Sequence, residues 1–510
     1  MGWCLRGTVW AVYSGIMPTL PAALHTAAQV RAIDHYGIDT QGIPGYTLMT
    51  RAATAALAAL RTRFPAARRL RIWCGAGNNA GDGYVLARLA RAAGLMVETV
   101  ALVPPERLAG DAARAWQDWR AVGGDSLTRE ASRVPDVEVD AMLGTGLDRA
   151  LAEPFAPVVT ALNAAPVPVV ALDLPTGLHA DTGAALDVAV DAALTVSFVA
   201  LKQGLFTGAG PAHVGTLVFD DLGVDASASG VPVSMDRLSA TAPLRALTPR
   251  RRDGHKGDHG RVLVIGGGRG MPGAARLAAE AALRSGAGRV TVATLPAHVA
   301  AIVAARPEII CEGIEPGAEG LARLDTLLAQ TDVLALGPGL GRDAWARALW
   351  AQALRFEGPA VLDADALNLL AEAPRPLPKE CVLTPHPGEA ARLLGCTVRD
   401  IQTDRPAALA RLCERHHATV VLKGAGSLVG RRGERPQVCD RGNPGMASAG
   451  TGDVLTGAIA GLAAQLGCLW QATLAGVHAH ALAGDVAARQ GERGLLAGDL
   501  LAELRACLNP

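Results

Sequence analysis

The stretch "AGTGDVLTG" (449–457) sets Asp453 behind Gly450 and Gly452, at the start of a run with helical character. A helix start offers unpaired backbone N–H groups and the positive end of a dipole, and flanking glycines let an anion approach closely. That suits phosphate, yet the planted side chain is itself an anion. A Walker-type loop would supply a lysine instead. An acid near a helix start is also ordinary capping chemistry, so the motif alone is weak. A second constellation, "WCGAGNNAGDG" (73–83), holds Asn78, Asn79 and Asp82 in a turn between a strand and a helix. Adjacent amides with a carboxylate are rich in acceptors, which fits a cation or a sugar better than a bare pyrophosphate. Asp140 in "VDAMLGTGLDRALAEPF" (139–155) and Asp173 in "ALDLPTGLHADTG" (171–183) repeat the pattern. Asn, Asp and Gly make turns everywhere. Three acidic turns at successive strand ends are more than turn chemistry requires.

These residues need strands to present them. Short β-rich runs alternate with Ala-, Leu- and Arg-rich helical stretches along the whole chain, which predicts α/β architecture with parallel sheets. In the first half the strands read as 70–74, 97–102, 137–143, 167–174, 193–199 and 215–222. In the second half they read as 260–268, 288–295, 332–339, 360–367 and 381–386, with 419–430 carrying a hairpin-like turn. Two long helices, 451–464 and 471–488, are expected to close the chain. Residues 229–250 have linker composition, rich in Ser, Pro and charge. In open α/β sheets, ligands bind beyond the carboxyl ends of the strands. Such ends here carry "GGGRGMPG", "GPGLG", "LDADAL", "TPHPGE" and "KGAGS". Asp363 and Asp365, in the third of these, read as helix caps.

Composition narrows the function. Lys plus Arg and Asp plus Glu each number 48, for a net charge of zero, so neither nucleic acid nor an anionic membrane is an expected partner. The nine cysteines form no CxxC pair and are odd in number, which points to a reducing cytoplasm. No apolar run is long enough for a membrane span. Residues 1–16 are mildly apolar without an A-x-A-like cleavage site, so translation is expected to start at Met17.

With these motifs in place, the segment from Gly260 to Asp453 resembles the ribokinase-like NAD(P)H-hydrate dehydratases; "TPHPGE" and "NPGMASAGTGDVLTG" carry the likeness. The resemblance implies that Asp453 is the base toward a hydroxyl that attacks a nucleotide phosphate, while Gly452 and its neighbours supply amides. It implies hydrate binding by Ala274, Gly339, His386 and Asp453. It implies nucleotide binding by Lys423, Gly424, Ala425, Gly426, Ser427 and Gly452. ADP with magnesium is the expected nucleotide. The bland readings are a strand-end histidine for His386 and a surface lysine for Lys423.

The segment from about Leu20 to Val224 resembles the NAD(P)H-hydrate epimerases. The family's NNGGDG is here NNAGDG, with Ala80 for a glycine, and its DxPSG is "DLPTG", with Thr176 keeping the hydroxyl. The resemblance implies that Asn78, Asn79, Ala80, Gly81 and Asp82 contact the hydrate. It extends the same role to Gly144, Thr145, Gly146, Leu147, Asp148, Arg149, Ala150 and Asp173. Asn79, Asp140 and Thr176 are implied to hold potassium, a hard cation suited to oxygen ligands. Asp173 is the candidate acid/base.

The implied fold is two three-layer αβα domains, Rossmann-like over 17–228 and ribokinase-like over 251–510, joined by 229–250. The implied function is repair of hydrated NADH and NADPH in the cytoplasm, by a homo-oligomer. Two rivals remain at this level: a small-molecule kinase with a Rossmann-like accessory domain, and a protein-binding scaffold.

Overall fold

The computed structural model describes residues 20–127 and 134–509. The expected start at Met17 lies outside them. The chain divides into two compact units between Met235 and Asp236, inside the span expected to be linker. That span also holds a short strand, Met235–Arg237.

Strands are numbered along the chain from a two-residue β1 (Ala23–Leu24). The N-terminal unit contains β2 (Arg69–Cys74), β3 (Met96–Ala101), β4 (Ser126–Leu127), β5 (Val137–Ala141), β6 (Val169–Leu172), β7 (Leu194–Phe198) and β8 (Thr216–Asp220). They form one sheet in the order β4-β3-β2-β5-β6-β7-β8, and every pairing is parallel. Residues pointing to both faces are buried, as a sheet covered on two sides requires. Ile72, Val139, Val170 and Val196 pack with helices Gly45–Arg63 and Asn78–Ala92. Trp73, Val100, Val169 and Ala171 pack on the other side with Val159 and Leu162 of helix Phe155–Ala164. Strand order reverses between β2 and β5, which opens a crevice at their carboxyl ends.

The C-terminal unit begins at Asp236, within β9 (Met235–Arg237). It continues through β10 (Arg261–Ile265), β11 (Arg289–Thr294), β12 (Ile310–Gly313), β13 (Val333–Leu336), β14 (Ala360–Leu362), β15 (Cys381–Leu383), β16 (Thr419–Leu422), β17 (Ser427–Gly430) and β18 (Gln437–Cys439). The order β18-β17-β16-β15-β14-β13-β10-β11-β12 is parallel except at β16–β17 and β17–β18. β18 pairs with β9 in parallel. The switch point lies between β10 and β13. Val262, Val264, Val333 and Val361 bury into a layer with helices Pro272–Arg284 and Thr451–Leu466. Leu263, Leu334, Leu362 and Leu383, of opposite parity, are buried on the other face.

Small residues set the spacing of the helix layer. A side chain at Gly457 or Gly461 would meet the carbonyls of Ala278 or Ala282 on the facing helix. The close packing lays the first turn of helix Thr451–Leu466, and so Asp453, beside the sheet's carboxyl edge. Five strands escape the period-2 reading: β1, β4, β9, β12 and β18 are two, two, three, four and three residues long, too short for alternation to show. No helix among the described residues is long and apolar enough to cross a membrane, and every cysteine among them is free.

Candidate active sites

In the N-terminal unit, the chain leaves β2, turns at Gly77 with φ +76° and enters helix Asn78–Ala92. Ala80, which replaces the family's glycine, lies inside this helix with its methyl fully buried. An ordinary helical backbone serves it, so the exchange needs no rearrangement. Asn79 is buried, and both its Oδ1 and its Nδ2 lack a hydrogen-bond partner. Such an orphan is costly and marks a place where a ligand belongs. Asp140, near the end of β5, is fully buried. It accepts from the Thr176 hydroxyl at 2.7 Å and the Thr176 amide at 2.8 Å. Burial pushes its carboxyl up to about 6, against the pull of these hydrogen bonds. The Thr176 hydroxyl also meets the Leu143 backbone, beside Gly144. A Cβ on Gly144 would stand 3.5 Å from Asp173 Oδ2 and 3.7 Å from Asn79 Cβ. Asn79, Asp140, Gly144, Asp173 and Thr176 thus gather at one edge of the sheet. An orphaned amide oxygen, a buried carboxylate and a hydroxyl form a hard-oxygen donor set that fits potassium.

Asp173 follows β6 in the left-handed region, at φ +67°, strain that an active-site residue typically bears. Its Oδ1 forms an ion pair with Lys202, whose side chain is fully buried. Burial pushes Asp82 well above the usual carboxylate range, and the charges of Asp173 and Asp34 add to it. The rest of the expected substrate loop is open. Asn78, Gly146, Asp148, Arg149 and Ala150 are exposed, Thr145 is half-buried, and Leu147 packs against the core. Gly81 is buried where a side chain would meet Met49.

In the C-terminal unit, Lys423 ends β16 and donates from Nζ to Asp363 Oδ1 at 2.7 Å, with Glu389 Oε2 at 3.9 Å. Burial works against its charge, but Asp363, Glu389 and Asp453 outweigh burial and hold it above its ordinary value. A Cβ on Gly452 would lie 3.3 Å from Lys423 Nζ, so the lysine's ammonium stands close against the helix start. Asp453 has its carboxyl pushed up to about 7, by burial first and then by Asp363, with Lys423 opposing. The turn 423–427 reverses through Gly424 at φ +140° and Gly426 at φ +61°. Ser427 Oγ receives the Gly424 amide at 3.2 Å. Ala425 at the tip is exposed. His386 caps its helix, accepting from the Gly388 amide at 3.0 Å through Nδ1. Burial and then Lys423 lower its pKa, and its Nε2 lies 3.4 Å from Glu389 Oε1. Ala274 and Gly339 touch across the switch point, where a Cβ on Gly339 would be 2.9 Å from that of Ala274.

Asp363 and Asp365 are not caps, since the helix Asp365–Glu372 has no side-chain cap. Asp363 receives both Lys423 and the Thr456 hydroxyl, the latter at 2.8 Å. Asp365 receives the Gly341 amide at 2.8 Å and so ties the "GPGLG" turn to the site.

Residues 262–505 match the family model of NAD(P)H-hydrate dehydratase. Residues 45–204 match that of the YjeF-related protein N-terminus. The chain is 43% identical to a bifunctional NAD(P)H-hydrate repair enzyme of Coxiella burnetii, over 96% of this chain and 99% of that one. It is 42% identical to one of Escherichia coli, over 96% and 95%. The chain belongs to the bifunctional NAD(P)H-hydrate repair enzymes. A solved ADP/ATP-dependent NAD(P)H-hydrate dehydratase from Bacillus subtilis, co-crystallised with ATP and magnesium, is 28% identical and covers 54% of this chain and 97% of its own, with a TM-score of 0.48.

Beside the residues expected to act, this repair-enzyme chain gathers further polar side chains that were not among the expected ones. Asp363 and Glu389 flank Lys423, Thr456 bonds Asp363, and Lys202 with Asp34 faces Asp173. The signal for Asp363 was present, as an acid closing the apolar strand "AVLD". Lys202 sits in an irregular segment and had none.

Proposed function

We propose that this chain repairs hydrated NADH and NADPH in two steps, an epimerisation on the N-terminal unit and an ADP-dependent dehydration on the C-terminal unit. The carrying observation is Asp453, held beside Gly452 and Lys423 with its carboxyl pushed up to about 7. A base needs a pKa near the working pH, and this one lies near neutrality.

In the dehydration, Asp453 takes the hydroxyl proton of the S hydrate as that oxygen attacks the terminal phosphorus of ADP. AMP departs. Lys423 and the amides around Gly452 offset the charge on the transferred group. Hydroxide has become phosphate, a far better leaving group. Loss of phosphate with a proton from the adjacent ring carbon restores the double bond. The turn Lys423–Ser427 is the nucleotide seat, and Ala274, Gly339 and His386 line the hydrate side. Magnesium travels with ADP: no group of three or more His, Cys, Asp or Glu among the described residues is arranged to hold a metal, in keeping with an ion carried on substrate phosphates.

In the epimerisation, Asp173 is the acid/base, between Asn78–Asp82 and Gly144–Ala150. It takes the hydroxyl proton as the bond from the hydroxyl-bearing carbon to the ring nitrogen breaks, leaving an aldehyde and a protonated nitrogen. It returns the proton to oxygen when the nitrogen, giving up its own, re-adds to the other face of the carbonyl. Potassium, held by Asn79, Asp140 and Thr176, supplies fixed positive charge beside that substrate loop. The enzyme is expected to be cytoplasmic and homo-oligomeric.

The test is turnover of separated R and S hydrates, with ADP and ATP in parallel, followed by recovery of reduced-nicotinamide absorbance. The reading predicts that S is consumed directly and R only through epimerisation. Phosphorylation of an unrelated alcohol, with no recovery from either hydrate, would replace it with the kinase alternative.

A further inference from the structure

The Lys202–Asp173 pair has an asymmetry that the acid/base assignment does not use. Lys202 follows β7 and is fully buried. Its ammonium donates to Asp173 Oδ1, to Phe198 O at 2.9 Å and to Ser197 Oγ at 3.2 Å. Those three acceptors account for all three ammonium hydrogens. No donor remains for a substrate, so Lys202 acts on the chemistry only through Asp173. The same Oδ1 also accepts the Phe198 amide at 3.4 Å. Oδ2 faces the other way, toward Gly144 and Asn79.

We infer that Lys202 is a positioning residue that occupies Oδ1 of Asp173, leaving Oδ2 as the single working oxygen, aimed at the Gly144 loop. A carboxylate that rotates freely offers either oxygen and loses orientation; one oxygen pinned by a buried cation keeps the other fixed within the small tolerance catalysis demands.

The charges around the pair make the cation necessary. Asp34, with its neighbour His35, faces Asp173 from helix Ala27–Asp39, and Asp82 faces it from helix Asn78–Ala92. Burial, above all, raises both of these carboxyls, and the Asp173 charge raises them further. Three carboxyl groups in one low-dielectric pocket cannot all be ionised. Lys202 bonds to only one of them. It therefore meets the negative charge of Asp173 directly, and acts on the raised carboxyls of Asp82 and Asp34 only at a distance. Environments that push neighbouring carboxyls apart are how one site holds both an acid and a base.

This inference rests on Asp173 being the acid/base, and the experiment separates the two. Epimerisation of the R hydrate is followed from pH 5 to 9 in wild type, Lys202→Met, Lys202→Arg, Ser197→Ala and Asp173→Asn, all in the full chain. Melting of the N-terminal unit in the same preparations reports whether it is folded, and dehydration of the S hydrate reports the other unit. In Lys202→Met, the acid limb of the epimerisation profile is expected to move up by about 1 to 3 pH units, the range over which an adjacent cation acts on a carboxyl group. KM should change little. Lys202→Arg keeps the charge and should restore the wild-type limb at reduced kcat. Ser197→Ala removes one tether and should lower kcat without moving the limb. An unmoved limb in Lys202→Met, with kcat merely reduced, overturns the role given to Lys202 and leaves Asp173 standing. Wild-type epimerisation in Asp173→Asn overturns the acid/base reading itself. If the N-terminal unit of Lys202→Met does not fold, Lys202→Arg and Ser197→Ala decide: a limb displaced in either overturns the inference.

Discussion

Each half of the molecule buries one lysine beside its proposed base, and the two are wired differently. In the N-terminal site the lysine bonds the base itself: Lys202, 0% exposed, holds Asp173. In the C-terminal site the lysine bonds a neighbour of the base. Lys423, 19% exposed, holds Asp363, and Asp453 is left to titrate near neutrality. Wiring follows task. An acid/base that returns the proton it takes gains from a fixed orientation. A base that hands charge to a phosphoryl group gains from a carboxyl free to bind the proton, and from a cation with one side open to a nucleotide.

The sharpest way to break this comparison is to remove each base alone. Asp453→Asn keeps size and much of the hydrogen bonding at the helix start but cannot accept the proton. Dehydration should fall on the order of 100- to 10,000-fold, while ADP affinity and R-to-S exchange stay near wild type. Calorimetry and the two rate assays on one preparation check it. Dehydration within a few-fold of wild type would remove the base from the C-terminal half of the comparison.

Breaking the second lysine tests the wiring. Lys423→Met strands Asp363, whose side chain is 2% exposed. Removing one partner of a buried ion pair costs about 3 to 5 kcal/mol. The C-terminal unit should melt earlier and lose ADP binding, with epimerisation intact in the cold. A KM for ADP that does not move would show that Lys423 serves stability alone.

The cation site distinguishes the halves in a further way. Removing potassium, or Asp140→Ala, should slow epimerisation and leave dehydration unchanged. Asn79 has both amide atoms buried and orphaned, so the variant's loss should exceed the loss from depleting the ion alone. Equal epimer exchange in sodium and potassium buffers, together with a fully active Asp140→Ala, would reject the metal assignment.

How far the sequence reached follows from the same contrast. The parallel strands were legible because both faces are buried and their residues run apolar without break, as in "RVLVI" and "VLAL". The turns carrying Asn79, Asp140 and Asp453 were legible because Gly, Asn and Asp cluster there. β9 and β18 were not, since three-residue strands leave no period to detect. Asp363 was visible but misread, because an acid after a strand and before a helix has the spacing of a cap. Only the fold brings Lys423 and Thr456 to it across 60 and 93 residues. Lys202 carried no local signal at all. Its meaning lies in Asp173, 29 positions away on the neighbouring strand end.

The smallest effect expected here concerns stability, and it follows from the free carboxyl of Asp453. Its folded value is about 7, against an ordinary 3.8. The native state therefore binds this proton more tightly than the unfolded chain does. Stability from this group is fully present below the unfolded value and is lost as pH rises through about 7. Above that, a buried anion sits beside Asp363 and Asp365 with only partial relief from Lys423. Asp453→Asn removes the anion and mimics the protonated form. The variant should melt higher than wild type at pH 8, with the gap closing toward pH 5, although it is the inactive enzyme. Asp173→Asn should show the opposite sign, because it strands the buried ammonium of Lys202. Melting of the two variants at both pH values, followed separately for each unit, checks the pair. If Asp453→Asn lowers the melting temperature at pH 8, its carboxyl is not the free group that the contrast with Asp173 requires.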